Sequence, residues 1–144
     1  MQLTTASEVI RFAKELEDKA AKFYEGVATR YPEAKEVFSS FVKENKKNKI
    51  LVERTYNEVV TDALETDFSF EEFEADAYMI DVDLDQDASL SDGVQRALEI
   101  EEKIQKFYLA AAKMSKSLLA DVPRAFERIA KRRGEGKEKL KSLL

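Results

Sequence analysis

Two glutamates fall on the apolar faces of predicted helices, inside a motif that the chain repeats. The first copy, Glu-x-x-Ala-x-x-Phe-Tyr, begins at Glu17, and the second, Glu-x-x-Ile-x-x-Phe-Tyr, begins at Glu101. A carboxylate in a dry core must be paired with a positive charge or take up a proton. A single glutamate there would suggest an error of helical register. Two copies with the same flanking residues instead predict a polar centre inside the protein.

Each motif is followed by a second polar interruption of an apolar face. Asn45-x-x-Asn48 follows the first copy, and Arg133-x-x-Gly136 follows the second. Arg133 carries a fixed positive charge, because guanidinium does not deprotonate in proteins. We therefore expect Arg133 to be the partner of both glutamates, while Asn45 and Asn48 donate to the remaining lone pairs.

Two alternatives stay open for these residues. Asn45 and Asn48 could lie on a partly exposed helix face, and Arg133 could belong to a solvated basic cluster with Lys131 and Arg132. The repeated motifs also end in Tyr24 and Tyr108. We expect these two to be core aromatics whose hydroxyls reach the polar centre, in a supporting and not a redox role.

Composition narrows the chemistry further. The 144 residues include no His and no Cys, which excludes imidazole and thiolate ligands, His bases and Cys nucleophiles. The net charge of −5 argues against nucleic acid as a partner. The chain has no apolar run that could cross a membrane, and its first residues do not read as a signal peptide. We expect a cytoplasmic protein that does not act at a membrane.

The apolar residues recur at helical spacing in four segments, so we predict an all-α protein. The predicted helices cover about 7–29, 33–64, 89 or 91 to 116, and a last segment capped by Asp121 with Pro123 in its first turn. Gly134 and Gly136 would weaken or bend the last helix, by about 1 kcal/mol each. We predict one domain over 1–144: a helix pair at 6–64, an acidic crossover at 65–91 and a helix pair at 92–144.

The predicted crossover is acidic but rich in aromatic residues. We expect a short helix near 70–78 and packing of the connector on the helices through its aromatic residues. The large apolar residues of this stretch are Phe68, Phe70, Phe73, Tyr78 and Met79.

One stretch of the crossover is similar to an EF-hand calcium loop. Acidic or hydroxyl side chains stand at alternate positions from Asp81, and Asp92 closes the loop. However, Gln86 stands where the loop needs Gly, and Asp92 is shorter than the usual bidentate Glu. We therefore expect an acidic surface connector over 81–92, with calcium binding as the weaker alternative.

The repeated motifs resemble those of the ferritin-like superfamily, specifically its rubrerythrin-type diiron-carboxylate family. The resemblance covers nearly the whole chain and implies a ferritin-like four-helix bundle with one long crossover between the second and third helices. In that family, two single glutamates and two Glu-x-x-His motifs hold two iron ions. Glu17 and Glu101 match the single glutamates, whereas Asn45, Asn48, Arg133 and Gly136 replace all four residues of the Glu-x-x-His motifs.

The resemblance therefore predicts the fold together with a degenerate metal site. We expect no cofactor and no catalytic residue, and a protein that acts in binding, assembly or regulation with an unidentified protein partner. A homodimer is plausible by the same resemblance. The alternative is a metal-binding oxidoreductase or iron-handling protein, using iron or another divalent metal at a remodelled site around Glu17 and Glu101.

Overall fold

Four long α-helices make up most of the computed structural model, which describes residues 1–61, 73–115 and 121–144. They are α1 (Ala6–Arg30), α2 (Lys35–Thr61), α3 (Leu90–Met114) and α4 (Asp121–Lys141). The main packing joins α1 to α2 and α3 to α4, and smaller contacts join α2 to α4 and α1 to α3. The predicted all-α class is confirmed, the described residues include four long helices as predicted, and each predicted helix pair packs together.

Both α1 and α3 begin with a capping box. Thr5 caps α1: its hydroxyl accepts from the backbone N–H of Glu8 at 3.1 Å, and the Glu8 carboxylate accepts from the N–H of Thr5 at 3.0 Å. Ser89 and Asp92 form the equivalent capping box at the start of α3. Each cap contributes about 1 kcal/mol by satisfying backbone N–H groups that the helix leaves free.

The second helix was predicted to begin at about residue 33, before its actual start. Pro32–Ala34 form a separate turn of 3₁₀-helix, and α2 starts at Lys35. Proline fixes its own backbone angle and lacks an N–H, which suits the first turn after a bend. The predicted end of that helix at 62–64 lies outside the described residues, as does the predicted end of α3 at Lys116.

The N-terminus and the connector hold each other on the outside of the helices. The N–H of Leu3 donates to the carbonyl of Phe73 at 2.7 Å, and Leu3 is buried. Phe73 stacks on Phe107 of α3 at 5.4 Å between ring centroids, and Tyr78 packs edge-on against both rings. The predicted packing of the connector is confirmed for these two aromatics.

Other expectations for the connector have different outcomes. Met79 is 47% exposed. Within the range predicted for a short helix, the described residues form a 3₁₀-helix over Ala75–Tyr78. Phe68 and Phe70 lie outside the described residues, as do 70–72 of the predicted helix.

The acidic stretch 81–92 is held by protein contacts. Asp81 forms an ion pair with Arg96 at 3.0 Å, and Asp92 is engaged in the cap of α3. Arg30 and Tyr31 of the opposite helix pair both donate to the backbone carbonyl of Ala88. Across 1–61, 73–115 and 121–144, no group of three or more acidic side chains is placed to hold a metal ion. These contacts agree with an acidic connector.

The two glycines predicted to weaken α4 instead admit neighbouring side chains, and the helix runs through them unbroken. A Cβ at Gly136 would lie 2.9 Å from Cε1 of Phe41 on α2. A Cβ at Gly134 would lie 2.9 Å from Nε2 of Gln105, the far end of a flexible side chain that donates to the carbonyl of Ala130. Gly136 is therefore the stricter of the two positions, because a buried ring has little room to move.

We expect Gly136→Ala to destabilise the protein and Gly26→Ala to stabilise it. The methyl group at Gly136 would overpack against Phe41, at about 1–3 kcal/mol. Gly26 lies within α1 with nothing within 4 Å of an added Cβ, so alanine should add about 0.5–1 kcal/mol. Urea unfolding of both variants is the measurement. Equal effects of the same sign would show that Phe41 does not confine the position of Gly136.

Candidate functional site: a buried glutamate–arginine–glutamate cluster

Arg133 lies between the two repeated glutamates and bonds to both. Its Nη1 donates to both carboxylate oxygens of Glu101, at 2.7 and 2.9 Å, and its Nη2 donates to Oε1 of Glu17. Glu17 and Glu101 are each 1% exposed and Arg133 is 4% exposed. The contacts predicted between Arg133 and the two glutamates are present, and the alternative of a solvated Arg133 is wrong.

Helical periodicity explains why these three charges meet. Glu17 lies on α1 between the buried residues Ala13 and Ala20, which are four positions before it and three after it. Glu101 on α3 and Arg133 on α4 likewise lie within buried apolar stripes. Side chains three and four positions apart share one helix face, so packing these stripes together necessarily brings the charges into the core.

The two tyrosines of the repeat cross over to the opposite glutamates. Tyr24 on α1 donates its hydroxyl proton to Glu101 at 2.9 Å, and Tyr108 on α3 donates to Glu17 at 2.7 Å. Both tyrosines are fully buried. Their predicted supporting role agrees with these contacts, and the exchange ties α1 to α3 with the symmetry of the sequence repeat.

The two asparagines are both buried but have different partners. Nδ2 of Asn45 donates to Oε1 of Glu17 at 2.8 Å, as predicted. Oδ1 of Asn48 instead accepts from Arg132 at 3.1 Å, and no contact from Asn48 to either carboxylate is present in the described part of the chain. The expectation that Asn48 donates to a glutamate is therefore wrong, and so is the alternative of an exposed face for both asparagines.

Two residues of the site escaped the sequence analysis. Arg132 was considered only as part of a solvated cluster, although it holds Asn48. Phe41 of α2 was not considered as a site residue, but its ring fills the space beside Gly136, close to the carboxylate of Glu101. The unusual glycine in a helical stripe was the available signal, because it indicates the close approach of another group.

Burial and neighbouring charges shift the ionisation of the cluster. Burial raises the pKa of Glu101, against the opposing influence of Arg133 and the hydrogen bond from Tyr24. Burial alone would lower the pKa of Arg133, but Glu101 and Glu17 hold it well above its ordinary value. Burial, with a nearby carboxylate, also raises the pKa of Tyr24 and Tyr108 well above the usual range. The guanidinium is therefore charged and both phenols are neutral.

Two surface clefts reach the cluster from opposite sides of α2. The α2–α4 cleft has a volume of about 390 Å³ and reaches Glu101, Arg133 and Gly136. The α1–α2 cleft has a volume of about 440 Å³ and reaches Glu17 and Asn45. Within the described ranges, two buried polar atoms of the cluster have no hydrogen-bond partner, namely Nε of Arg133 and Oδ1 of Asn45.

The comparisons with known proteins leave the site to be interpreted from its own geometry. No family model matches the chain, and neither a curated protein nor a solved structure matches it. Among the described residues, no helix is both long enough and apolar enough to cross a membrane.

Arg133→Met should be strongly destabilising at neutral pH. The change leaves two carboxylates facing each other in a dry core, and removing one partner of such a cluster typically costs about 3–5 kcal/mol. The loss should be smaller in mild acid, where the carboxylates take up protons. The triple variant Glu17→Gln, Glu101→Gln, Arg133→Met should recover part of the stability. Urea unfolding at both pH values tests this, and a loss below about 1 kcal/mol would place Arg133 outside the core in solution.

Glu101→Gln should reduce the dependence of stability on pH. Because the folded-state pKa of Glu101 is raised, its contribution to stability is complete below the unfolded value near 4.5. That contribution is lost as pH rises through the raised folded value. The free energy of unfolding of the parent should therefore fall more steeply above about pH 4.5 than that of the variant. The control is Glu102→Gln at the adjacent exposed position. Parallel curves for the parent and Glu101→Gln would contradict the shift.

Proposed function

We propose that this chain is a ferritin-like, rubrerythrin-related four-helix bundle that has lost its diiron ligands and acts as a non-catalytic binding, assembly or regulatory protein. The observation that carries the proposal is the position of Arg133, whose guanidinium bonds to both carboxylates that a metal would need. A metal ion there would face a fixed positive charge that cannot be removed by deprotonation.

The oxygens of both carboxylates are already engaged. Glu101 accepts two bonds from Arg133 and one from Tyr24. Glu17 accepts one bond each from Arg133, Asn45 and Tyr108. A metal ion would have to displace several charge-assisted hydrogen bonds, which are about twice as strong as neutral ones.

The remaining positions of the former ligand set offer little to a metal. Asn45 turns its amide nitrogen toward Glu17, and Asn48 uses its oxygen to accept from Arg132. Gly136 supplies no side chain, and the ring of Phe41 occupies the space where one would begin. These contacts disfavour the alternative of an oxidoreductase or iron-handling protein remodelled around Glu17 and Glu101.

Hydrogen bonding within the centre disfavours a protein-based catalytic site, although Glu101 has a raised pKa and lines the α2–α4 cleft. A catalytic acid or base needs a pKa near the working pH and access to a substrate atom. Tyr24 and Tyr108 are held as neutral donors by their raised pKa values, and Arg133 is held as a permanent cation. Two carboxylates that share one guanidinium and accept the tyrosine hydroxyls support a structural role for the centre, so we assign the function to the surface.

The proposal extends to the setting of the protein. The chain would form a single ferritin-like domain over 1–144, with its crossover between α2 and α3, and would work in the cytoplasm. Its partner would be another protein, a second copy of the chain included, and not nucleic acid, for which the net charge of −5 is unfavourable.

Metal analysis of the purified protein tests the proposal. We expect no stoichiometric iron and no ferroxidase activity. The combined variant Asn45→Glu, Asn48→His, Arg133→Glu restores ligand types on α2 and α4 and should gain iron binding. The control, Arg128→Glu, repeats the charge change of Arg133→Glu at an exposed position of α4. About two equivalents of tightly bound iron in the unaltered protein would overturn the proposal.

A further inference from the structure

The α2–α4 cleft has a buried polar floor with one unused donor. Arg133 and Glu101 lie at its floor, and Nε of Arg133 has no hydrogen-bond partner in the described part of the chain. An unpartnered buried donor of this kind is unfavourable by about 1–3 kcal/mol. This atom is enclosed by the protein, so binding in the cleft depends on the groups at its rim.

The rim of the same cleft carries opposite charges in equal number. Arg132 and Lys139 are positive, and Glu44 and Glu135 are negative. Glu135 and Lys139 are four residues apart in the order that favours an ion pair on a helix. Nevertheless, no such pair forms between these two described side chains, and Lys139 lies over the ring of Phe41 at 5.9 Å.

The α1–α2 cleft differs from the α2–α4 cleft in the pairing of its charges. In the α1–α2 cleft, Lys49 and Asp18 already form an ion pair at 3.1 Å. Among the described residues, Glu44 of the α2–α4 cleft makes a long ion pair with Lys47, at 3.8 Å. The four charges at the rim of this cleft do not pair with one another, whereas two charges of the α1–α2 cleft do.

We propose that the α2–α4 cleft binds a small zwitterion, a molecule that carries one carboxylate and one ammonium group in the manner of a free amino acid. The carboxylate would lie toward Arg132 and Lys139, and the ammonium group toward Glu135 and Glu44. The ring of Phe41 offers an apolar surface for an aliphatic side chain.

Charge balance is what selects this class of ligand. A plain carboxylate would meet Glu44 and Glu135 without compensation, and a plain amine would meet Arg132 and Lys139 in the same way. The volume of about 390 Å³ lies within the range of small-molecule sites. The inference rests on the proposed function, since it requires Arg133 and not a metal ion at the floor of the cleft.

Nuclear magnetic resonance titration of the full chain tests the inference with three matched probes. L-Leucine has both charged groups, isocaproate lacks the ammonium group, and isoamylamine lacks the carboxylate. We expect leucine to shift the amide resonances of Ser40, Asn48 and Gly136, and both analogues to bind at least about tenfold more weakly, as expected when one ion pair is lost. No shift with leucine up to about 10 mM, or equal binding of the analogues, would overturn the inference.

Variants on α4 locate the site. Arg132→Gln and Glu135→Gln should each weaken leucine binding at least about tenfold. Arg128→Gln and Glu127→Gln, at exposed positions outside the cleft, should leave it unchanged. Circular dichroism checks that every variant is folded. Loss of binding in both pairs would contradict the cleft as the site. Metal content measured on the same samples separates the two proposals: bound iron overturns the proposed function, whereas metal-free protein that ignores leucine overturns only the ligand.

Discussion

Three charges share one dry space at the centre of this protein, and their mutual compensation constrains how the helices can pack. Glu17 belongs to α1, Glu101 to α3 and Arg133 to α4. A buried ion cluster adds little net stability compared with apolar residues of the same volume, because desolvation opposes the attraction. Separating its members, however, leaves a charge uncompensated in the core. The cluster therefore acts mainly on specificity: a packing that shifts one helix away from the others is strongly disfavoured.

The internal repeat explains why α1 and α3 contribute equivalent groups to the centre, whereas the groups from α2 and α4 differ. Tyr24 and Tyr108 exchange hydrogen bonds with each other's glutamates, so the α1–α3 half is nearly symmetric. The partners on α2 and α4 are not equivalent. Asn45 adds a neutral amide, whereas Arg133 adds a full positive charge that reaches across to both carboxylates. The single guanidinium between the two carboxylates bonds to both, and the other hydrogen bonds to the carboxylates come from neutral donors.

Much of this centre could be predicted from the sequence, because a charged side chain in a dry core must be paired with an opposite charge or neutralised. The repeated motif placed Glu17 and Glu101 on buried faces, and Arg133 was the cation on a matching stripe. The contacts that escaped prediction depend on rotamers and on packing between distant segments. Arg132 donates to Asn48, and the ring of Phe41 fills the space at Gly136. The N–H of Leu3 donates to the carbonyl of Phe73, which lies far from it in the sequence. Periodicity assigns a residue to a face but does not say which neighbour it contacts.

The distribution of unsatisfied groups indicates where the molecule can still interact. At the centre, the carboxylates accept from tyrosine, asparagine and arginine donors, so the ionised groups have little left to offer a ligand. At the edge of the cluster, Nε of Arg133 stays unpartnered, and beyond it the rim of the α2–α4 cleft carries charges that do not pair with each other in the described residues. Binding energy is available only from groups that are incompletely satisfied beforehand. A centre of this kind stabilises one arrangement of the helices, and under the proposed binding role recognition would fall to the cleft above it.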